Sequence, residues 1–160
     1  MSSFKNKITN PFYYRLFLLR KLPLAWLCGL KVQELSDDKA VISIKYGYWT
    51  KNPFRSIYFA CLCMAGEMSN GVMAMMHVLN QPEKCAMIVV GLETEFIKKA
   101  RGTIYFTCSE GDKLRKTVEQ AMADGPDGPG RQVVIHSEGI DEEGDCVATF
   151  DITWSFKAKG

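Results

Sequence analysis

The sequence has little of what metal, disulfide and nucleic-acid proteins are built from. Two histidines, His77 and His136, and no C-x-x-C pair leave few ligands for a zinc site. No sign of charge prevails: 20 basic residues against 18 acidic ones give +2, too balanced for a dedicated nucleic-acid binder. Internal repeats, low-complexity tracts and interdomain linkers are lacking. Met1–Asn10 is polar and carries Lys5 and Lys7, and the apolar stretch after it is broken by Arg15, Arg20, Lys21 and Pro23. Neither the clean apolar run nor the cleavage site of a signal peptide is there.

What is present is an ordinary globular mix, 47% hydrophobic and 24% charged. A chain of this length buries about two thirds of its unfolded surface, so its core needs no disulfide or metal. The six cysteines (Cys28, Cys61, Cys63, Cys85, Cys108 and Cys146) each sit in an apolar run. Reduced, mostly buried thiols fit a reducing, cytoplasmic compartment.

Residues 1–160 read as one domain, with 1–29 as an N-terminal helical cap and 30–157 as the core. Pro11–Lys21 is expected to be a helix with Asn10 as its cap, Pro11 at its first position and Pro23 at its end. Its apolar face is taken as Phe12, Leu16, Leu19 and Phe17, with Arg15 and Arg20 wet. Leu30–Leu35 and Lys39–Tyr46 form a hairpin about Ser36-Asp37-Asp38. Ala86–Phe96 alternates, with Ile88, Val90, Leu92, Thr94 and Phe96 on one side and Glu93 and Glu95 on the other. Gly102–Ser109, Arg131–Gly139 and Asp145–Phe156 supply three more strands, and Asp112–Ala123 a short amphipathic helix.

Ser56–Leu79 is the unusual segment. It is long enough to span a bilayer, but Glu67, Ser69 and Asn70 stand at its centre, and an acid at mid-bilayer costs about 2.5–3.5 kcal/mol. A nearly all-apolar helix has no face to give to water, so the sheet must wrap it. The fold class is therefore α+β, an antiparallel six-stranded sheet around one long central helix.

Between Ser56 and Leu79 the only Asp, Glu, Lys, Arg or His residues are Glu67 and His77, and His77 lies near the end. A carboxylate in such a helix loses hydration, which raises its pKa and makes it a candidate base or nucleophile for acyl transfer. Ala60, Cys63, Met64, Asn70, Gly71 and Ala74 are its helical neighbours, small or polar enough to leave a slot, and Asn70 is placed to hold it. A structural Glu at a dimer seam is the competing reading.

This layout, with Asn52-Pro53-Phe54-Arg55-Ser56, Ile57-Tyr58-Phe59-Ala60 and Met64-Ala65-Gly66-Glu67-Met68, resembles the hot-dog fold thioesterases of the 4-hydroxybenzoyl-CoA and phenylacetate-pathway type. Within them it resembles a branch whose domain has no assigned function. The resemblance implies that Asn52 orients the thioester or water, the Phe59 N–H binds the carbonyl oxygen, and Glu67 attacks or activates water. Tyr58-Phe59-Ala60 stands where many relatives carry His-Gly-Gly, and Val89 and Val90 where the phenylacetate type often has a hydroxyl. Arg55, Tyr58, Met64 and Asn70 are further substrate-binding candidates. Lys98, Lys99 and Arg101 are candidates for the phosphates of coenzyme A, which enters as part of the substrate; no resident cofactor or metal is expected.

Phe59 and Glu67 are about 12 Å apart along one helix, too far to share a carbonyl. Two antiparallel copies of the helix bring them together, so a homodimer, with a tetramer open, is the expected active unit. The function expected is acyl-CoA thioester hydrolysis; the alternative is a non-catalytic fatty-acid or acyl-group binder. A dehydratase is disfavoured because no Asp-x-x-x-x-His occurs. His136 and Asp151 are read as structural and solvent-facing, and the methionines Met64, Met68, Met73, Met75 and Met76 as core. The N-terminal segment Phe12–Leu30 suits packing on its own sheet, closing an acyl pocket or resting on a membrane surface; packing is preferred.

Overall fold

The computed structural model describes Phe4 and residues 8–160. Helix α1 (Pro11–Lys21) begins where Asn10 Oδ1 accepts the N–H groups of Phe12 and Tyr13 at 3.0 and 3.4 Å. The helix ends at Leu22, and a second short helix not foreseen from the sequence, α2 (Pro23–Leu27), starts at Pro23. The inward face of α1 differs from the expected one. Tyr14 and Leu18 are buried, whereas Phe12, Leu16 and Leu19 face outward. Both stripes are apolar, so periodicity could not choose between them. Tyr14 offers a hydroxyl that donates to Met68 Sδ at 3.1 Å, a contact the outer stripe cannot make.

The hairpin of β1 (Lys31–Leu35) and β2 (Ala40–Lys45) turns on Ser36, whose N–H donates to Lys39 O and whose hydroxyl accepts the Lys39 N–H. The long helix α3 (Phe59–Leu79) starts three residues later than the apolar run. Ile57 and Tyr58 are held extended by bonds to Ala100 O and Thr50 O. By length and composition α3 is capable of crossing a membrane, but 67% of its apolar window is buried inside the protein. At Gly66 it approaches the sheet so closely that a Cβ would stand 2.8 Å from the Phe150 ring.

After α3 come β3 (Cys85–Phe96), β4 (Thr103–Cys108), α4 (Gly111–Ala123), β5 (Arg131–Asp141) and β6 (Cys146–Ala158). The six strands form one sheet in the order β1-β2-β4-β5-β6-β3, every neighbour antiparallel. Ile42, Ile44, Ile104, Phe106, Ile135, Phe150, Ile152 and Phe156 close the core on α3. The architecture is the sheet-around-a-helix that the sequence implied.

Strand β3 corrects one detail. A bulge between Val89 and Gly91 shifts its register on β6. Val89 is opposite inward-facing Trp154, and Leu92, Thr94 and Phe96 are opposite Ile152, Phe150 and Ala148. Ile88 is therefore out of phase with Leu92 and lies 63% exposed. One inserted residue inverts the alternation on either side of it, so Ile88, Val90 and Leu92 do not share a face as a continuous strand would require.

Candidate functional site

Two openings lie along α3, one at its N-terminus and one around Glu67. The first is a cleft of about 760 Å³ whose lining includes Asn52, Tyr58, Phe59, Phe96, Lys98 and Lys99. Tyr58 is the N-cap of α3 but gives no side-chain cap. That leaves the Phe59 N–H, at the positive end of a 21-residue helix, without a partner among the described residues and open to an incoming oxygen. The Phe59 ring packs against Tyr58 and Phe96 with centroids at 4.8 and 6.1 Å.

Asn52 organises this loop and has nothing left for a substrate. Its Oδ1 accepts the N–H groups of Phe54 and Ser56 and the Ser56 hydroxyl, and its Nδ2 donates to Ser56 Oγ and Ile57 O. The role expected from the resemblance, orienting a thioester or water, is therefore replaced by one of positioning the helix start. Arg55, exposed within the same loop, has φ of 58°, and the tight turn around Asn52 accounts for it.

The second opening is a cavity of about 160 Å³ between α3, α1 and the sheet, with Tyr14, Phe17, Leu18, Met87 and Trp154 among the residues around Glu67. Gly71, one turn beyond, lets the carboxylate fold back: a Cβ there would lie 2.8 Å from Glu67 Oε1 and 3.2 Å from Trp154 Cζ2. Among the described residues Glu67 has no hydrogen-bond or ion partner, and burial raises its pKa above the ordinary carboxylate value. Asn70 does not hold it. Its Oδ1 instead accepts the Trp154 indole N–H at 2.8 Å, and its buried Nδ2 has no partner among the described residues.

Other groups fall away on their surroundings. Burial pushes the Cys61 thiol up to about 12, with Cys28 Sγ 3.9 Å away, and Cys108 to about 11, so neither is a ready thiolate nucleophile. His77 is buried with its pKa lowered, and Nε2 meets Asp37 O at 3.1 Å, tying the end of α3 to the first hairpin. His136 pairs with Asp151 across β5 and β6 on the outer face, Nδ1 to Oδ1 2.8 Å. Lys98 is gripped by Asp141, Glu143 and Asp145, which compete with any phosphate for it. Lys99 and Arg101 are exposed beside it. Met64 is half-buried on the stripe of α3 that also carries Cys63 and Glu67.

Residues 13–156 match the family DUF4442, a domain of unknown function. The chain belongs to the DUF4442 family. No curated protein sequence matches it. Among solved structures, it is similar to a protein of unknown function from Pseudomonas aeruginosa described as a "probable thioesterase", with a TM-score of 0.74, 16% identity and coverage of 95% of this chain and 99% of that one. A Chlorobaculum tepidum protein of unknown function aligns at 0.75, with 14% identity over 97% and 99% of the two chains. A thioesterase from Haemophilus influenzae aligns at 0.65, with 13% identity over 89% and 88%. At these identities the likeness establishes the fold: this DUF4442 chain has the hot-dog architecture found among thioesterases.

Within that fold, sequence reasoning located Glu67, Phe59 and the loop around Asn52, but not Trp154, Tyr14 or Met87 as surroundings of the carboxylate. Gly71 was legible as a small neighbour on the same helix face. The others come from a distant strand or helix and leave no local signal.

Proposed function

We propose that the protein hydrolyses acyl thioesters, acyl-CoAs above all, as a homodimer with two composite sites. The observation that carries this reading is Glu67: a half-buried carboxylate with a raised pKa and, among the described residues, no partner, at the edge of an apolar cavity. A carboxylate so placed is a stronger base than one in water. In the proposed reaction Glu67 takes a proton from water as the water oxygen bonds to the thioester carbon. The Phe59 N–H of the second copy stabilises the oxyanion. Collapse breaks the carbon–sulfur bond, and the leaving thiolate takes the proton from Glu67, giving a carboxylic acid and free coenzyme A.

The dimer is supported by what one copy leaves uncovered. β3 has a partner on one edge only, and Ile88, Val90 and Leu92 are 63%, 50% and 49% exposed along it. The half-buried stripe of α3 through Ala60, Cys63, Met64 and Glu67 runs beside it. Lys99 and Arg101 would meet the coenzyme A phosphates.

A second reading rests on the aromatic packing at the helix start. Phe59 lies between Tyr58 and Phe96, which narrows the approach to its N–H and fits an acyl binder without turnover. Free-thiol release from short, long and aromatic acyl-CoAs, with wild type and Glu67→Gln side by side, separates the two. Hydrolysis of one class, reduced at least ~100-fold in the variant, is expected. No release from folded protein, together with a co-purifying fatty acid in native mass spectra, would establish the binder instead.

A further inference from the structure

The outer surface of α1 and α2 has no role in the site described above. Phe12, Leu16 and Leu19 recur at i, i+4 and i+7, and all three face outward, 73%, 37% and 49% exposed. Tyr13, Leu22, Leu24 and Leu27 extend the patch, from 37% to 60% exposed. Turning about 100° per residue, α1 sets Arg15 on one side of the Phe12–Leu16–Leu19 stripe and Arg20 on the other. On the opposite face Tyr14 and Leu18 are anchored in the core. The helix is thus apolar on two sides, one of them already buried.

The charge carried by this stretch of the chain is of one sign. The first acidic residue of the chain is Glu34, and six of the 20 basic residues (Lys5, Lys7, Arg15, Arg20, Lys21 and Lys31) precede it. A groove of about 410 Å³ runs along the outer side of α1, with Phe4, Ile8, Leu16 and Phe17 along it and Arg20 and Lys21 among its lining residues. An apolar trough flanked by cations matches an acyl chain with an anionic headgroup.

We propose that this face docks on an anionic lipid bilayer, with Phe12, Leu16 and Leu19 entering the interface and Arg15, Arg20 and Lys21 meeting lipid phosphates. Charge decides against a second copy as the occupant. Two such faces meeting about a two-fold axis would oppose the same arginines and lysine, and the segment that forms the face holds no acid to pair them. The exposed edge of β3, by contrast, carries Glu93 and Glu95 beside its apolar residues. Docking would also place the cavity around Glu67, roofed by Tyr14 and Leu18 on the inner side of the same helix and by the half-buried Phe17 at its flank, next to the layer that holds acyl chains. The proposal does not depend on hydrolysis at Glu67.

The test is flotation of the full chain with phosphatidylcholine vesicles, with and without phosphatidylglycerol, at low and high salt. Wild type is expected to float with the anionic vesicles and to be released by salt. Arg15→Gln/Arg20→Gln should bind them about 30-fold more weakly, the scale of two surface charges. Leu16→Ser/Leu19→Ser should lose binding while keeping wild-type circular dichroism and melting, since both side chains point away from the core. Wild type that stays soluble with both vesicles overturns the proposal, as does equal binding with and without phosphatidylglycerol, or binding undiminished in both variants. A wild type that ignores vesicles and whose mass by light scattering falls in Leu16→Ser/Leu19→Ser would assign the face to a second copy, and the proposal fails.

Discussion

Gly71 sits under the carboxylate of Glu67. A Cβ at position 71 would stand 2.8 Å from Glu67 Oε1, with Trp154 Cζ2 closing the other side at 3.2 Å. The glycine is therefore the space into which the acid folds. Gly71→Ala should push the carboxylate from its place and lower thioester hydrolysis at least ~10-fold, because a 1 Å displacement of a reacting group costs on this scale or more. The better helix former offsets part of the steric cost, so stability should change by no more than about 1 kcal/mol. If Gly71 acts through Glu67, adding Gly71→Ala to Glu67→Gln costs little further activity; full additivity of the two losses in a double-mutant cycle would separate them.

The raised pKa of Glu67 makes a prediction about stability against pH. Folded protein holds this proton more tightly than unfolded protein, so the contribution of Glu67 to stability is most favourable below the ordinary value of 4.5 and falls as pH rises from there towards the folded pKa. Above that point the loss is complete and constant. Glu67→Gln removes the cost. Its melting temperature should match or trail wild type near pH 4 and exceed it at pH 7, a crossover read by calorimetry across the range.

Asn70 and Trp154 are a buried polar pair. The indole N–H donates to Asn70 Oδ1 at 2.8 Å while Asn70 Nδ2 has no partner among the described residues. Trp154→Phe strands the rest of the amide and should cost about 1–3 kcal/mol for the unpaired group, beyond the lost packing. Adding Asn70→Leu removes the amide altogether. The double variant should melt above Trp154→Phe alone, and a double variant that is less stable would show that the pair is not the source of the cost.

The edge of β3 tests the assembly. Val90, at the bulge, is 50% exposed, and a charge there meets water in a single copy but apolar surface in a dimer. Val90→Lys should leave the melting of the isolated copy nearly unchanged, halve the mass in solution and abolish turnover together. Monomeric wild type with full turnover would remove the composite site from the mechanism.

Much of this protein could be read in advance because its signals are local. An apolar run with a single acid at its middle has to be surrounded by protein. The alternation through Phe150, Ile152, Trp154 and Phe156 has to present one side to a core. Asn10-Pro11 starts a helix whatever lies elsewhere. Hence the α+β class, the wrapped helix and the isolation of Glu67 follow from residue types and spacing.

Tertiary structure decided the rest, wherever two local solutions were nearly equal in energy or the partner was distant in sequence. Helix α1 offers two apolar stripes, and the Tyr14–Met68 contact selected the inner one. The bulge at Val90 changes which β3 residues face the core, because register depends on the pairing with β6. Asn52 satisfies its own loop, and Asn70 turns to Trp154, 84 residues on, instead of to Glu67 three residues back. A side chain's spacing says which groups are near enough to reach. Only the folded chain shows which hydrogen bond, among several in reach, is made.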